Sequence, residues 1–251
     1  MILTVVGSGT LVPHPRRSTA AIALSEGDTQ ITVDGGSGTL RRQAELGLDF
    51  RRTRALVFTH IHPDHTLDLL QFLFASKYTP GFRRDAAIRI IGPPGFAAFV
   101  GQLRKGYLPW TDGGEAGLEI TELADRETVR IGSIDVEAVL LEHGVTNHGY
   151  RFRGTNGRVA AFTGDTEECP PLADLARDAS VLVSECSGTE SQRIPGHLTA
   201  REAGRAASLA NVGQLVLSHL YPLDPDTRLE EAREAFSGPV LLAEDGTRFI
   251  V

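Results

Sequence analysis

Apolar residues fall in short runs, most of them closed by glycine or a polar residue. The runs at 2–6, 20–24, 30–33, 55–59 and 88–91 read as strands, and those at 134–140, 150–152, 159–163, 181–184, 215–218 and 240–243 extend the series. Between them the pattern predicts helices near 37–46, 65–76, 94–104, 171–178, 199–211 and 226–236. The turn-rich stretch 105–118 reads as a surface excursion. Strands come first and strand–helix alternation follows in both halves, which predicts an α/β architecture rather than a bundle or a β-sandwich. No low-complexity segment or linker interrupts the pattern, so residues 1–251 are taken as one domain.

Several predicted strands run straight into polar residues. Val33 leads to Asp34, Phe58-Thr59 to His60, Phe162-Thr163-Gly164 to Asp165, and Leu217-Ser218 to His219. Chemistry at these places would sit at the ends of a sheet, where a buried scaffold fixes the loops.

Composition narrows the function classes. The 251 residues are 41% hydrophobic and 23% charged, which is ordinary for a globular chain, and 27 glycines with 13 prolines point to many turns. A formal charge of -7 argues against a broad basic surface for long nucleic acid. Cys169 and Cys186 provide neither a disulfide framework nor a zinc-type cysteine pair. There is no secretory leader pattern at Met1 and no apolar run of the roughly 20 residues that a bilayer requires. The resulting expectation is a cytoplasmic protein with no membrane partner.

The most informative stretch is Thr59-His60-Ile61-His62-Pro63-Asp64-His65. Alternating histidines can project together from a strand exit, and the turn after them can carry Asp64 and His65 toward a second position. Neutral imidazole and carboxylate are the ligands that zinc favours, and four of them within six residues point to metal more strongly than to a capped polar turn. Seven of the eight histidines (60, 62, 65, 143, 148, 197 and 219) lie in or beside such glycine-punctuated or strand-ending segments.

Taken together, these motifs resemble the metallo-β-lactamase superfamily and, within it, the ribonuclease Z-like branch. The resemblance runs from Gly7-Ser-Gly-Thr10 with Pro13 through Val33-Asp-Gly-Gly36, the His/Asp motif and Gly92-Pro93. It continues through His143 before Gly149-Tyr-Arg-Phe152, Thr163-Gly-Asp165, Gly196-His-Leu-Thr199 and Ser218-His219. It implies a four-layer αββα sandwich holding two divalent ions. One would sit on His60, His62 and His143, the other on Asp64, His65 and His219, with Asp165 bridging. Zinc suits the His-rich position best, and manganese is credible at the mixed one. Asp34 is expected to hold a histidine ligand from behind, its alternative being a simple Asp-Gly turn.

The same resemblance implies attack of a metal-activated water on phosphorus, with Asp64 or Asp165 orienting it or accepting its proton. His197 would relieve charge on the leaving oxygen, and Glu185 of Ser184-Glu185-Cys186-Ser187 would orient His197. The branch has His, Ala and Ser where this chain has Ser184, Cys186 and Leu198, which loosens the transfer of substrate. Cys186 reads as a small buried residue rather than a nucleophile. His148 is open between lining the substrate opening, bonding near His143, and a purely structural place. Lys77, Tyr78, Arg83 and Arg84 could form a phosphate-facing rim or a solvated face.

Residues 153–158 leave no room for the long basic arm with which tRNA-processing relatives grip their substrate. The expected activity is therefore hydrolysis of a small, cyclic or poorly structured phosphodiester. The alternatives are tRNA 3′ processing with RNA as partner, arylsulfatase-like or other ester hydrolysis, and a non-catalytic metal- or nucleic-acid-binding role. A homodimer is implied by the branch alone.

Overall fold

The computed structural model describes residues 1–251, apart from the side chain of Pro225. The first half contains β1 (Ile2–Gly7), β2 (Ala21–Glu26), β3 (Thr29–Val33), α1 (Thr39–Glu45), β4 (Thr53–Val57), α2 (Pro63–Thr66), α3 (Asp68–Tyr78), β5 (Ile88–Gly92), α4 (Phe96–Lys105) and β6 (Leu118–Glu122). The second half contains β7 (Thr128–Ile131), β8 (Ile134–Leu141), β9 (Asn147–Arg153), β10 (Val159–Phe162), α5 (Pro170–Ala176), β11 (Val181–Glu185), α6 (Ala200–Leu209), β12 (Leu215–Ser218), α7 (Pro225–Ala235), β13 (Val240–Leu242) and β14 (Arg248–Ile250).

They form two seven-stranded mixed sheets, ordered β14-β1-β2-β3-β4-β5-β6 and β13-β12-β11-β10-β9-β8-β7. Strand periodicity builds the layers. In β4, Ala55 and Val57 join the core between the sheets, whereas Leu56 and the following Phe58 join the outer core beneath α3 and α4. In β11, Val181 and Val183 face inward and Leu182 packs on the outer side with α5 and α6. Helices thus cover the outer face of each sheet, giving the expected αββα sandwich.

Three strands escape the sequence pattern. β6 begins where the predicted excursion was to end, and β7 and β14 are short strands at sheet edges with few buried side chains. Their apolar signal is correspondingly weak. The helix expected at 65–76 is two pieces, α2 and α3, meeting at Leu67. Among the described residues no helix is long and apolar enough to cross a membrane.

The strands that matter for chemistry run parallel. β3, β4, β5 and β6 form one parallel set, and β10, β11, β12 and β13 the other. Asp34, the 58–65 segment, Asp165, Glu185 and His219 all lie at or just beyond the carboxyl ends of these strands. That is where open α/β sheets place their ligands.

Candidate metal centre

Two close backbone approaches bring the strand exits together. Gly164 has φ +60, and a Cβ there would lie 2.7 Å from Thr59 Cβ, so only glycine lets the β10 exit pass the β4 exit. Gly36 lies where a Cβ would meet the Asp64 carbonyl at 1.9 Å, which packs the turn after β3 against α2. Asp34 and His219 hold left-handed backbone, with φ 58 and φ 54, a conformation that costs non-glycine residues of the order of 1 kcal/mol and recurs at functional sites.

The side chains form three groups whose potential ligand atoms lie within 4.8 Å of one another: His60, His62, His143 and Asp165; Asp64, His65 and His219; and, overlapping both, Asp165, His197 and His219. In the first, His62 Nδ1 lies 2.9 Å from His60 Nε2 and 3.4 Å from His143 Nε2. In the second, His219 Nε2 lies 3.5 Å from Asp64 Oδ2, and His65 Nε2 lies 3.9 Å from it. Asp165 serves both. Its Oδ1 is 3.4 Å from His65 Nε2 and 3.4 Å from His219 Nε2, while its Oδ2 is 3.8 Å from His60 Nε2.

Hydrogen bonds behind the rings decide which nitrogens carry protons. Asp34 Oδ2 accepts from His65 Nδ1 at 2.8 Å and from the Thr59 hydroxyl at 2.8 Å, and that hydroxyl in turn accepts from His60 Nδ1 at 2.9 Å. His143 Nδ1 donates to the Gly196 carbonyl at 2.9 Å. His219 Nδ1 donates to Ser187 Oγ at 2.9 Å, whose own proton goes to Glu185 Oε2 at 2.7 Å. Each outer nitrogen is thereby fixed as a donor, so the inward Nε2 atoms present lone pairs.

That arrangement fits divalent cations. His65 Nε2, His219 Nε2 and Asp165 Oδ1 are buried atoms with no hydrogen-bond partner, and they converge on one another. Lone pairs converging in a buried space repel unless a cation lies between them. Metal–nitrogen bonds of about 2.0–2.1 Å put tetrahedral ligand atoms roughly 3.3 Å apart, within the spread of separations seen here. Electrostatics ask for positive charge here: burial lowers the His65 pKa, but Asp165 and Asp34 raise it well above its ordinary value, so a cation would take the place of a proton at Nε2. Burial, then the neighbouring His65, pushes the His60 pKa far down, so His60 is neutral. Burial would raise the Asp165 carboxyl, but His219 and His65 hold it well below the usual carboxylate range.

His197 stands beside this centre, its ring stacked on that of His219 at 5.4 Å and set edge-on to His143 at 5.2 Å. Its Nδ1 donates to Glu185 Oε1 at 2.9 Å, which leaves Nε2 for a ligand. Burial lowers its pKa, yet the hydrogen bond and charge of Glu185 raise it to about 9.

With this donor set goes a match of residues 29–220 to the beta-lactamase superfamily domain. The chain belongs to the metallo-β-lactamase superfamily. An uncharacterised protein of Mycobacterium leprae is 30% identical over 98% of this chain and 87% of its own length. Among solved structures, the metallo-β-lactamase fold protein YhfI from Bacillus subtilis superposes with a TM-score of 0.85 at 24% identity, covering 99% of this chain and 98% of its own. The short form of human tRNase Z superposes with a TM-score of 0.79 at 22% identity, over 100% of this chain and 99% of its own. At these identities both structures speak for the superfamily fold.

Every residue singled out for metal or proton chemistry therefore falls at one place, and two contributors had no role assigned from the sequence. Thr59 links Asp34 to His60, and Ser187 links Glu185 to His219 and lies 3.1 Å from His197 Nδ1. Both stand inside quoted motifs, Thr59 before His60 and Ser187 two residues after Glu185, and the alternation of an extended chain would have placed Ser187 on the same side as Glu185. Cys186 is buried, and burial pushes its thiol up to about 12, as suits a packing residue.

His148 is also buried. Its Nδ1 has no hydrogen-bond partner, its ring stands edge-on to Tyr150 at 6.0 Å, and burial lowers its pKa to about 4. The possible rim residues are engaged elsewhere, around a separate cleft of about 510 Å³. Lys77 pairs with Asp112 at 2.9 Å, Arg83 with Glu115 at 2.8 Å, and Arg84 donates to the Thr53 and Phe50 carbonyls.

Proposed function

We propose that residues 1–251 form one hydrolase domain of the ribonuclease Z-like branch, which uses two divalent cations to cleave a small, cyclic or poorly structured phosphodiester. The observation that carries the reading is the divided Asp165 carboxylate, with Oδ1 turned to His65 and His219 and Oδ2 toward His60. His60, His62 and His143 would hold one cation and Asp64, His65 and His219 the other, with zinc favoured at the first and manganese admissible at the second. When bound, such a pair supplies a water of lowered pKa and offsets charge gathering on phosphoryl oxygens.

The chain's own groups do the rest. Asp64 or Asp165 orients the attacking water or takes its proton. His197, held at Nδ1 by Glu185, turns Nε2 to the leaving oxygen and gives it a proton. Glu185 is itself held by the Thr166 and Ser187 amides at 2.7 and 3.2 Å, so His197 stands on a fixed base.

A small substrate is favoured by the joint between β9 and β10. Only residues 154–158 connect them, and this turn is folded down on Glu26 through Thr155. No arm extends from it, and the formal charge of -7 provides no broad basic surface in compensation.

Purified protein supplied with Zn²⁺ or Mn²⁺ is expected to hydrolyse bis-p-nitrophenyl phosphate, and Asp64→Ala or His65→Ala to abolish turnover. Undiminished turnover in both variants would sink the mechanism. A panel of cyclic nucleotides, precursor tRNA and an aryl sulfate then ranks the substrates. Cleavage of precursor tRNA after the discriminator base, in preference to the small diesters, would replace the substrate assignment with tRNA 3′ processing.

A further inference from the structure

Beyond His219 lies a second cavity of about 640 Å³, walled by His14, Arg16, Arg17, Arg42, Tyr221 and Arg228 among others. Tyr221 is the partition between it and the metal centre. Its ring lies 6.0 Å from that of His219, and its phenol pKa is raised by burial and then by the charges of Asp64 and Asp165.

Arg228 is the unusual member. Its side chain is 2% exposed, yet it forms no ion pair among the described residues. One terminal nitrogen donates to the Leu223 carbonyl at 3.3 Å and the other to the Ser187 carbonyl at 3.1 Å, while Nε has no partner. Arg17 also lacks a carboxylate partner and donates to the Ser8 hydroxyl and the Ala243 carbonyl. The carboxylates of the wall do not answer them. Asp245 accepts from Ser8 N, Ser8 Oγ and Ser18 N and lies 3.4 Å from Arg42 Nε, and Glu244 is exposed and forms no ion pair with these arginines.

A buried guanidinium with no ion-pair partner, eased only by the more distant charge of Asp224, is costly, and its planar fork matches phosphate oxygens. In a chain of formal charge -7, arginines left unanswered around one cavity are a local exception rather than a general surface property.

We propose that this cavity binds a second, non-scissile phosphate of the substrate, so that the preferred diester carries another phosphate group in addition to the one that is cut. The proposal rests on the phosphodiesterase reading above and assigns substrate selection to Arg16 and Arg228, across Tyr221 from the metal ligands.

The test compares a 5′-phosphorylated dinucleotide with the same dinucleotide lacking that phosphate, using the metal-loaded enzyme. The extra phosphate is expected to raise kcat/KM about tenfold or more, chiefly through KM, as one charge-assisted contact would. That ratio should fall toward one in Arg16→Ala, an exposed position that folding does not need, and in Arg228→Met, which keeps the buried volume. A ratio of one in the parent overturns the proposal.

Turnover of bis-p-nitrophenyl phosphate, which has no second phosphate, reports separately on the phosphodiesterase reading. If no diester is cut at all, calorimetric titration of inorganic pyrophosphate into chelator-treated protein still reads the cavity. Affinity about tenfold weaker in Arg16→Ala and Arg228→Met supports the anion site, and equal affinities overturn it. Pyrophosphate binding that depends on these arginines, without any 5′-phosphate advantage in turnover, would make it a site for a free anion and overturn its role in substrate selection.

Discussion

The two halves of the candidate metal centre are built differently. His143 is backed by a neutral group, the Gly196 carbonyl, His60 reaches the Asp34 carboxylate only through the Thr59 hydroxyl, and His62 and His143 are only partly buried. His65 and His219 are buried and backed by carboxylates, Asp34 directly and Glu185 through Ser187. A carboxylate behind an imidazole raises its basicity and fixes its orientation. The second half also has the charge of Asp64. It should therefore hold its cation more tightly, leaving the more open first half as the place where a cation exchanges.

The residue common to both halves is the most severe test of this contrast. Asp165→Ala is expected to lower turnover on the order of 10³-fold or more and to reduce bound metal from two ions per chain to one or fewer. Metal content by atomic emission, measured beside the kinetics, checks both. Two retained ions would mean that the halves are independent sites.

A smaller effect separates the centre from the histidine buried near it. The folded-state pKa of His148, about 4, lies below its ordinary value of 6.5. The unfolded chain therefore binds the proton more readily, and the neutral ring favours folding above about pH 6.5. That contribution is lost as pH falls from 6.5 toward 4, to a total of about 3 kcal/mol. Asp125 is the charged group that partly opposes the shift. Chemical denaturation of metal-free parent and His148→Leu across this range should show the parent losing stability more steeply. Parallel curves would show that His148 is not held neutral by burial.

Removing one backing carboxylate acts mainly on one half. Asp34→Asn keeps a residue that tolerates the left-handed backbone, and it is expected to weaken the second cation about 10- to 100-fold and the first, which it reaches only through Thr59 and His60, by less. Competition with a chelator of graded strength resolves the two affinities. Equal weakening of both would erase the distinction between the halves.

Much of this centre was legible because its ligands are short polar interruptions after apolar strands. A run such as Ala55 to Phe58 must alternate between two cores, and His60 then has to emerge at the sheet end. The motif could not reveal that Thr59 and Ser187 tie the halves to their backing carboxylates, since a hydroxyl's use depends on what the fold brings opposite it. The same holds for β7 and β14, edge strands that bury few side chains and leave little periodicity to read.

The predicted rim at Lys77, Tyr78, Arg83 and Arg84 marks the opposite limit, because charge in a sequence does not disclose whether that charge is already paired. The Arg83 and Glu115 side chains form an ion pair at 2.8 Å with 80% and 81% exposure, a setting in which solvent leaves little net attraction. Arg83→Ala is accordingly expected to leave both the melting temperature and the turnover of bis-p-nitrophenyl phosphate unchanged within error, at low and at moderate salt. A loss of turnover that deepens at low salt would return this cleft to the substrate path and extend the site well beyond its two metal halves.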